Sequence, residues 1–342
     1  MSRLRVAVIG AGVWGRNHVR TLASLPDVEL AAVCDTSPGQ REALRRQYAG
    51  VMITDDLGEA LGRAEAAVVA TPATTHASVT RSVIERGLPV LVEKPFATSV
   101  ADAEEVAEAA AARGVPVLVG HLLLFHPAVE RLRSMIRAGE LGTVFYVYSQ
   151  RVNLGQVRPD ENALWSFGPH DVSVAVHLLG RPPVRVAAQG MSYLQPGIED
   201  VVFLTMNFET GMMAHVQMSW LDPHKERRLT VVGSKRMVVF DDMQPREKLK
   251  IYDKGVDRPP EYASYGESLA IREGDISIPR IPNVEPLTAE LKHFVAVARG
   301  DEAPRATAAD GVEVVRVLAV AAQSLLEGGR PVAIDAARPA VR

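Results

Sequence analysis

Cysteine is almost absent from this sequence of 342 residues, because Cys34 is its single cysteine. One thiol cannot form an internal disulfide or a multi-cysteine metal site, and it fits a reducing compartment. An excess of one charge is also missing, since 38 basic residues stand against 41 acidic ones and the formal net charge is −3. This balance disfavours nucleic acid as a partner.

Long hydrophobic runs are missing as well, and none approaches the roughly 20 residues of a membrane helix. Arg3 and Arg5 precede a short apolar run that mimics a secretory signal, but Gly10, Gly12 and Gly15 interrupt it. We therefore expect a mature cytoplasmic protein with no membrane partner. The composition, 47% hydrophobic and 23% charged, is typical of globular proteins. At about 150 residues per domain, the length predicts two domains.

The first third of the chain alternates short apolar runs with segments of helical spacing. The runs are continuous, which indicates strands buried on both faces of a parallel sheet. Strand and helix in alternation predict a doubly wound α/β domain. The predicted strands are 4–9, 28–34, 66–70, 90–92 and 115–119, and the predicted helices are 13–25, 38–48, 75–86 and 99–113.

After about residue 120 the pattern changes to strands that follow one another across short turns, which predicts an antiparallel sheet. Residues 255–285, rich in proline, glycine and charge, read as an extended loop. The predicted strands are 143–152, 184–189, 201–208, 212–220, 229–232, 237–240 and 249–252, and the predicted helices are 127–138, 169–179, 288–299 and 310–327.

Residues 10–15 match the dinucleotide fingerprint G-x-G-x-x-G between a predicted strand and a predicted helix. The glycines permit a tight turn, close approach of a pyrophosphate, and close packing of helix on strand, while the helix N-terminus favours the phosphate charge. A glycine-rich turn in an enzyme without a dinucleotide is the alternative. The predicted cofactor contacts in this motif are Gly10, Gly12, Val13, Trp14 and Gly15.

Asp35 ends the second predicted strand, twenty residues after Gly15. A carboxylate there accepts hydrogen bonds from the ribose hydroxyls of NAD and repels the 2′-phosphate of NADP. No arginine is adjacent to Asp35, the next being Arg41. The sequence therefore predicts NAD as the cofactor.

Two further segments end neighbouring strands, where ligands bind in open parallel sheets. Thr71, Pro72 and His76 follow the predicted strand 66–70, and Glu93 and Lys94 lie at the end of the predicted strand 90–92, so we expect all five residues near the cofactor. Lys94 can act as a general acid or base if its surroundings lower its pKa. A solvated lysine at the rim of the sheet is the alternative.

The fingerprint, the Thr-Pro turn with His76, and the Glu-Lys-Pro triplet at 93–95, followed by a mainly antiparallel second part, together resemble the Gfo/Idh/MocA oxidoreductase family. The resemblance implies NAD(P)-dependent oxidation or reduction of sugars, polyols or related alcohols. It also implies that Lys94 and His170 transfer the substrate's proton in a cleft between the domains. The expected architecture is an N-terminal Rossmann domain, 1–120, and a C-terminal α+β domain with an open sheet, 121–342. The final helices, 288–327, are expected to return to the first domain.

His170 follows Gly168 and Pro169, which suit a helix start. In a first helical turn the dipole disfavours imidazolium, so the ring would stay neutral and able to accept a proton. A packed structural histidine is the alternative. Asp171 either contacts substrate or caps the helix. Many family members carry an aspartate four residues before the histidine, and here that position is Ser166.

No metal site is expected. On one helix His170 and His177 would stand about 10 Å apart, too far to share an ion, and cysteine ligands are missing. His121 and His126 either line the cleft or are structural histidines.

The second part of the sequence resembles the family branch of nucleotide-sugar 3-dehydrogenases. Trp165 and Asp171 are candidate substrate contacts, and Lys225 and Arg227 could meet a diphosphate, although a solvated charge run is the alternative. A polyol or free-sugar dehydrogenase, such as an inositol dehydrogenase, and a non-catalytic NAD-binding regulatory protein remain open. One face of the second sheet has no obvious helices to cover it, so we expect a homo-oligomer, a dimer or tetramer.

Overall fold

The structure is a computed structural model that describes residues 2–257 and 270–334. The described residues fall into two compact units. Unit 1 draws on Met1–Phe125 and Val284–Arg316, and unit 2 on His126–Asn283 and Val317–Arg342. Each unit contains one sheet.

Unit 1 is built on a six-stranded parallel sheet of order β3-β2-β1-β4-β5-β6. All four residues of each of β4, β5 and β6 are buried, and Glu93, the last residue of β5, is the one charged residue among them. The strand order reverses between β1 and β4, the place where such sheets bind ligands. The strands are β1 (Leu4–Ile9), β2 (Val28–Cys34), β3 (Met52–Thr54), β4 (Ala66–Val69), β5 (Val90–Glu93) and β6 (Val117–Gly120).

Five helices connect these strands, so the predicted doubly wound parallel fold is confirmed. Local sequence sets their ends. Ser99 begins α5 by accepting a hydrogen bond from the Asp102 N–H, and Gly114 ends it in the left-handed conformation at φ 62°. β3 and α3 were not predicted, because each is too short to show periodicity. The helices are α1 (Gly15–Ser24), α2 (Pro38–Gln47), α3 (Leu57–Gly62), α4 (His76–Glu85) and α5 (Val100–Arg113).

Unit 2 is built on a nine-stranded sheet of order β14-β13-β12-β11-β7-β10-β9-β8-β15. Its neighbours are antiparallel except for β7 and β10, so the predicted open, mainly antiparallel sheet is confirmed. The strands are β7 (Val144–Val152), β8 (Arg185–Met191), β9 (Val201–Asn207), β10 (Met213–Ser219), β11 (Glu226–Gly233), β12 (Met237–Asp241), β13 (Leu249–Asp257), β14 (Ala270–Ser277) and β15 (Val332–Ala333).

The loop predicted for residues 255–285 is wrong in part. β13 extends to Asp257 and pairs with β14, while residues 258–269 lie outside the described residues. This hairpin carries cross-strand ion pairs, Arg272 with Asp253 and Lys254 with Glu273. Charged pairs on an exposed hairpin lack the hydrophobic alternation by which strands are found in a sequence.

Helices α6 (Pro127–Arg137) and α7 (Ala163–Leu179) belong to unit 2, and α7 packs on β7, β9 and β10. Helix α8 (Pro286–Arg299) belongs to unit 1 and contacts α1 and the 3-10 turn Leu122–Phe125. Residues 308–316 of helix α9 (Ala308–Leu326) belong to unit 1, and the rest of this helix belongs to unit 2.

The predicted start of α7 at Pro169 is wrong. Asn162 caps the helix by accepting a hydrogen bond from the Trp165 N–H at 3.1 Å, and Pro169 lies inside the helix. Proline has no N–H to donate, so the helical bond to the Trp165 carbonyl is missing there. A side chain at Gly168 would come within 2.7 Å of Leu318, so this glycine serves close packing.

Candidate functional site

The fingerprint loop between β1 and α1 has the geometry of a phosphate cradle. Gly10 has φ +89°, and a Cβ there would lie 2.6 Å from the Ala70 carbonyl oxygen, while a Cβ at Gly15 would collide with the Gly10 carbonyl. A Cβ at Gly12 would meet nothing within 4 Å. The loop therefore packs tightly on itself and on the residues that follow β4, and it leaves open space at Gly12, which fits the approach of a pyrophosphate.

The N-terminus of α1 is also suited to an anion. Trp14 stands at the N-cap, and within the described chain no side chain caps this helix or places an acidic group in its first turn. The Arg16 and Asn17 N–H groups already donate to the carbonyls of Gly12, at 3.1 Å, and Trp14, at 2.8 Å, so the positive end of the helix dipole is what favours a phosphate here. Val13 and Trp14 are exposed, with 80% and 40% of their surfaces accessible.

Asp35 lies beside this loop. Its Oδ2 accepts a hydrogen bond from the Ala11 N–H at 2.6 Å, and its Oδ1 accepts one from the Ser37 N–H at 2.8 Å. Each oxygen keeps a further lone pair. The carboxylate is held where a ribose attached to the pyrophosphate can donate to it, so these residues fit NAD.

An arginine lies closer to this position than the sequence suggested. The α2 residue Arg41 donates from Nη1 to the carbonyls of Asp35, at 2.8 Å, and Thr36, at 2.9 Å. Its Nη2 pairs with Asp55 at 2.8 Å. The prediction that no arginine stands beside Asp35 is therefore wrong in space, because α2 turns back over the end of β2. Asp55 balances the charge of Arg41.

His76 connects the two segments predicted at the strand ends. Its buried ring lies with Nδ1 2.7 Å from the Pro95 carbonyl and Nε2 2.9 Å from the Thr71 carbonyl. Thr71 also bonds through its hydroxyl to Thr75 at 2.9 Å. The buried His76 ring thus links the turn after β4 to the Glu-Lys-Pro triplet.

Glu93 connects the triplet to the fingerprint loop. Its buried carboxylate accepts a short hydrogen bond from Trp14 Nε1, lies 2.8 Å from His18 Nε2, and accepts from the Lys94 N–H at 3.1 Å. Burial would raise the pKa of Glu93, but the hydrogen bond from His18, the charge of Lys94 and the bond from Trp14 hold it below its ordinary value. The carboxylate therefore orients Trp14 and the backbone of Lys94.

Lys94 follows β5 at the carboxyl edge of the sheet and is half-buried. Glu93 pairs with Gly120 across to β6, which places His121 at the same edge. His121 is buried, and burial lowers its pKa to about 4. It is neutral at physiological pH.

In unit 2, His170 lies in the third turn of α7 and is half-buried. The argument that a first-turn dipole keeps its ring neutral is therefore wrong, because the effect fades beyond the first turn. Ser166, one turn earlier, is buried on the same helix. Trp165 is half-buried at the start of the helix.

Asp171 is buried and accepts a short hydrogen bond from Arg151 Nε of β7. Asp171 lies well inside α7, so the alternative that it caps this helix is wrong. It instead joins the helix to the sheet through an ion pair within unit 2. This pairing was missed because residues 151 and 171 belong to different elements.

The predicted diphosphate contacts differ in their surroundings. Lys225 is exposed, whereas Arg227 lies 3.8 Å from Asp242. Asp242 also contacts His126, at 3.5 Å, and Lys248, at 3.2 Å. The hydrogen bond from His126 and those contacts with Lys248 hold the pKa of Asp242 well below its ordinary range, against the effect of burial. One carboxylate is thus shared among several cationic side chains.

Both parts of the chain match one family. Residues 4–121 match GFO_IDH_MocA, the oxidoreductase family with an NAD-binding Rossmann fold, and residues 129–239 match the GFO/IDH/MocA C-terminal domain. The chain belongs to the Gfo/Idh/MocA oxidoreductase family. It is accordingly a dehydrogenase or reductase that acts on CH–OH groups and uses NAD.

Relatives of this Gfo/Idh/MocA protein have different substrates. Inositol 2-dehydrogenase 2 of Saccharopolyspora erythraea is 29% identical over 63% of this chain and 66% of the relative. UDP-N-acetylglucosamine 3-dehydrogenase of Acidithiobacillus ferrooxidans is 27% identical over 94% of this chain and 96% of the relative. The crystal structure of GenD2 from gentamicin A biosynthesis, in complex with NAD, is 27% identical and superposes with a TM-score of 0.81 over 98% of this chain and 97% of GenD2.

Within the ranges that the structure describes, no helix combines the length and apolarity needed to cross a membrane. The same residues include no group of three or more histidine, cysteine or acidic side chains arranged to hold a metal ion.

Proposed function

We propose that this family member oxidises the 3-hydroxyl of a nucleotide sugar, such as UDP-N-acetylglucosamine or its uronic acid, with NAD as the hydride acceptor. The similarity to UDP-N-acetylglucosamine 3-dehydrogenase, which extends over nearly the whole length of both chains, supports this substrate class. An inositol or other polyol is the second candidate, supported by the similarity to an inositol 2-dehydrogenase.

The observation that carries the nucleotide-sugar proposal is the cluster of basic side chains around Asp242. Lys248 and Arg227 share this one carboxylate, and exposed Lys225 lies nearby in sequence. Arg228, by contrast, pairs with Glu226 at 3.0 Å. These basic side chains can bind a diphosphate, a group that inositol and free sugars lack.

Lys94 and His170 are the proposed catalytic residues. Bound NAD supplies the hydride acceptor, and the protein supplies proton transfer and orientation. His170 accepts the proton of the substrate hydroxyl, and the Lys94 ammonium stabilises the negative charge that develops on its oxygen. Glu93 holds the Lys94 backbone, and the bonds of His76 fix the turn after β4. Trp165 and Asp171 remain proposed substrate contacts.

The substrate class is tested by incubating the enzyme and NAD with UDP-N-acetylglucosamine, its uronic acid, free N-acetylglucosamine and myo-inositol. NADH absorbance is followed with enzyme in excess, so that tightly bound NADH does not hide a single turnover. We expect NADH from a nucleotide sugar only. Binding energy from a distant nucleotide orients the sugar, so free N-acetylglucosamine should react more slowly as well as bind more weakly. Robust oxidation of myo-inositol with no response to either nucleotide sugar favours the polyol candidate and rejects ours.

A second copy of this chain is the proposed partner of the uncovered sheet face in unit 2. Tyr146 stacks on Tyr148 at 6.2 Å, and Phe203 stacks on His215 at 6.4 Å, all on the face opposite α7. An exposed aromatic surface of this kind is typical of an interface between subunits. We expect Phe203→Glu to lower the mass found by sedimentation, while an unchanged mass contradicts the interface.

We also propose a cytoplasmic location for the protein, since Cys34 is a buried free thiol.

A further inference from the structure

Helix α8 carries a buried acid that the site described above does not use. Glu290 has no exposed surface, and its two carboxyl oxygens have no hydrogen-bond partner among the described residues. Nδ1 of His18 on α1 is likewise buried and without a partner in the described part of the chain. Buried polar groups without partners are costly and rare, so two of them on helices in contact require an explanation.

Helices α1 and α8 place both of these groups near the Glu93 carboxylate. α1 and α8 pack together, and Arg20 of α1 pairs at 2.8 Å with Glu285 at the N-terminus of α8. The other ring nitrogen of His18, Nε2, lies 2.8 Å from the Glu93 carboxylate. Burial, with the negative charge of Glu93 adding to it, raises the pKa of Glu290 well above its ordinary value. The shift favours the neutral carboxylic-acid form of Glu290, which has a proton to donate.

We propose that Glu290 is a positioning residue that donates its carboxyl proton in a hydrogen bond to Nδ1 of His18, and thereby fixes the His18 bond to Glu93. The proposal rests on the proposed role of Lys94 and extends it by two residues behind the site. Such a bond would give Nδ1 of His18 and one carboxyl oxygen of Glu290 a partner.

The bonds then run in one direction through neutral His18. Its Nδ1 accepts from Glu290, and its Nε2–H donates to Glu93. Glu93 accepts in addition from Trp14 in the fingerprint loop and from the Lys94 N–H. A residue of α8, almost 200 positions after Glu93 in the sequence, thus sets the orientation of the loop that receives the cofactor and of the residue that carries the proposed chemistry. Hydrogen bonds behind a working residue commonly fix its tautomer and orientation in this way.

Three variants of the full-length protein separate positioning from packing. Glu290→Gln keeps a donor for His18, since its amide N–H₂ replaces the acid. Glu290→Leu fills a similar volume without a donor. Leu291→Ala is the matched control, because Leu291 is equally buried on the same helix and apolar. NADH affinity is measured by fluorescence, folding by thermal unfolding, and the His18 ring by ¹⁵N NMR, with its signals assigned by their loss in His18→Asn.

In the wild type we expect the ¹⁵N signals of a neutral His18 with its proton on Nε2 and a hydrogen-bonded Nδ1. Glu290→Gln should keep this signature and the NADH dissociation constant within about twofold. Glu290→Leu should lose the Nδ1 signature and raise the dissociation constant about tenfold, which corresponds to ~1.4 kcal/mol. Leu291→Ala should be less stable and leave the His18 signals in place.

A wild-type His18 whose neutral ring carries its proton on Nδ1 overturns the proposal, even if Glu290→Leu does not fold. Equal losses of NADH affinity in Glu290→Leu and Leu291→Ala at the same unfolding temperature also overturn it. None of these readouts needs a substrate. A failure of the catalytic assignment, seen as full turnover in Lys94→Ala, is therefore distinct from a failure here.

Discussion

Replacing Asp35 with serine should remove most of the preference for NAD over NADP. The Asp35 carboxylate is held by the backbone N–H groups of Ala11 and Ser37, with a lone pair left on each oxygen for the ribose hydroxyls. A hydrogen bond to a charged group contributes about 1.5–3 kcal/mol. Since serine can keep one of the two bonds, the NADH dissociation constant should rise about tenfold or more.

The same substitution should improve NADPH binding. A unit charge on a 2′-phosphate about 4 Å from the Asp35 carboxylate is repelled by ~4 kcal/mol at an effective dielectric constant of about 20. Solvent reaches this half-buried carboxylate and reduces the repulsion. We therefore expect the wild type to bind NADPH about a hundredfold more weakly than NADH, a difference of ~2.7 kcal/mol. The nearby Arg41 guanidinium should then attract the 2′-phosphate in Asp35→Ser.

Fluorescence titration of each protein with NADH and NADPH measures both effects. Asp27→Asn is the control for removal of one negative charge, because Asp27 is exposed and precedes β2 at the opposite end of that strand from Asp35. It should change neither dissociation constant by more than about twofold. Equal affinity of the wild type for the two cofactors, or an unchanged ratio in Asp35→Ser, refutes this reasoning.

Three further results are expected. Lys94→Ala and His170→Ala should each lower turnover by about 10²-fold or more while NADH still binds, because acid–base groups contribute on that scale; wild-type turnover in both variants contradicts the assignment. Trp14→Phe should weaken NADH binding several-fold, since Glu93 then loses a donor in the fingerprint loop; unchanged affinity in titrations counts against that link. The raised pKa of Glu290 stabilises the fold below the ordinary glutamate pKa of about 4.3, and this stabilisation is lost as pH rises through the folded-state value. Glu290→Gln, which cannot ionise beside Glu93 and His18, should gain thermal stability relative to wild type between pH 5 and pH 9, and a constant difference contradicts that pKa.

The cofactor and the glycine-rich turn before α1 could be predicted from local sequence. The fingerprint at residues 10–15 directly follows β1, and Asp35 directly follows β2. Each signal therefore lies within a short stretch of sequence. The parallel strands follow from continuous apolar runs with helices between them, whereas the order of the strands was not predicted. β14 was missed because its sequence, with charged cross-strand pairs, lacks such an apolar pattern.

The parts that were wrong depend on contacts between distant residues or on competing local signals. Gly168 and Pro169 imitate a helix start, and only the Asn162 cap, six residues before Gly168, shows where α7 begins. Arg41 reaches Asp35 because of the path of α2, although the two residues are not adjacent in sequence. The approach of Glu290 to the site is invisible in the sequence, because it depends on how α8 packs against α1.

The origin of the transferred hydrogen tests the central claim most directly. The enzyme, in excess, is mixed with NAD and UDP-N-acetylglucosamine that carries deuterium at C3, and the NADH formed is examined by mass spectrometry. Oxidation at the 3-hydroxyl predicts NADH that is one mass unit heavier, and Lys94→Ala should form it at least about a hundredfold more slowly. Unlabelled NADH from this substrate, or labelled NADH from deuterated myo-inositol alone, would contradict the account.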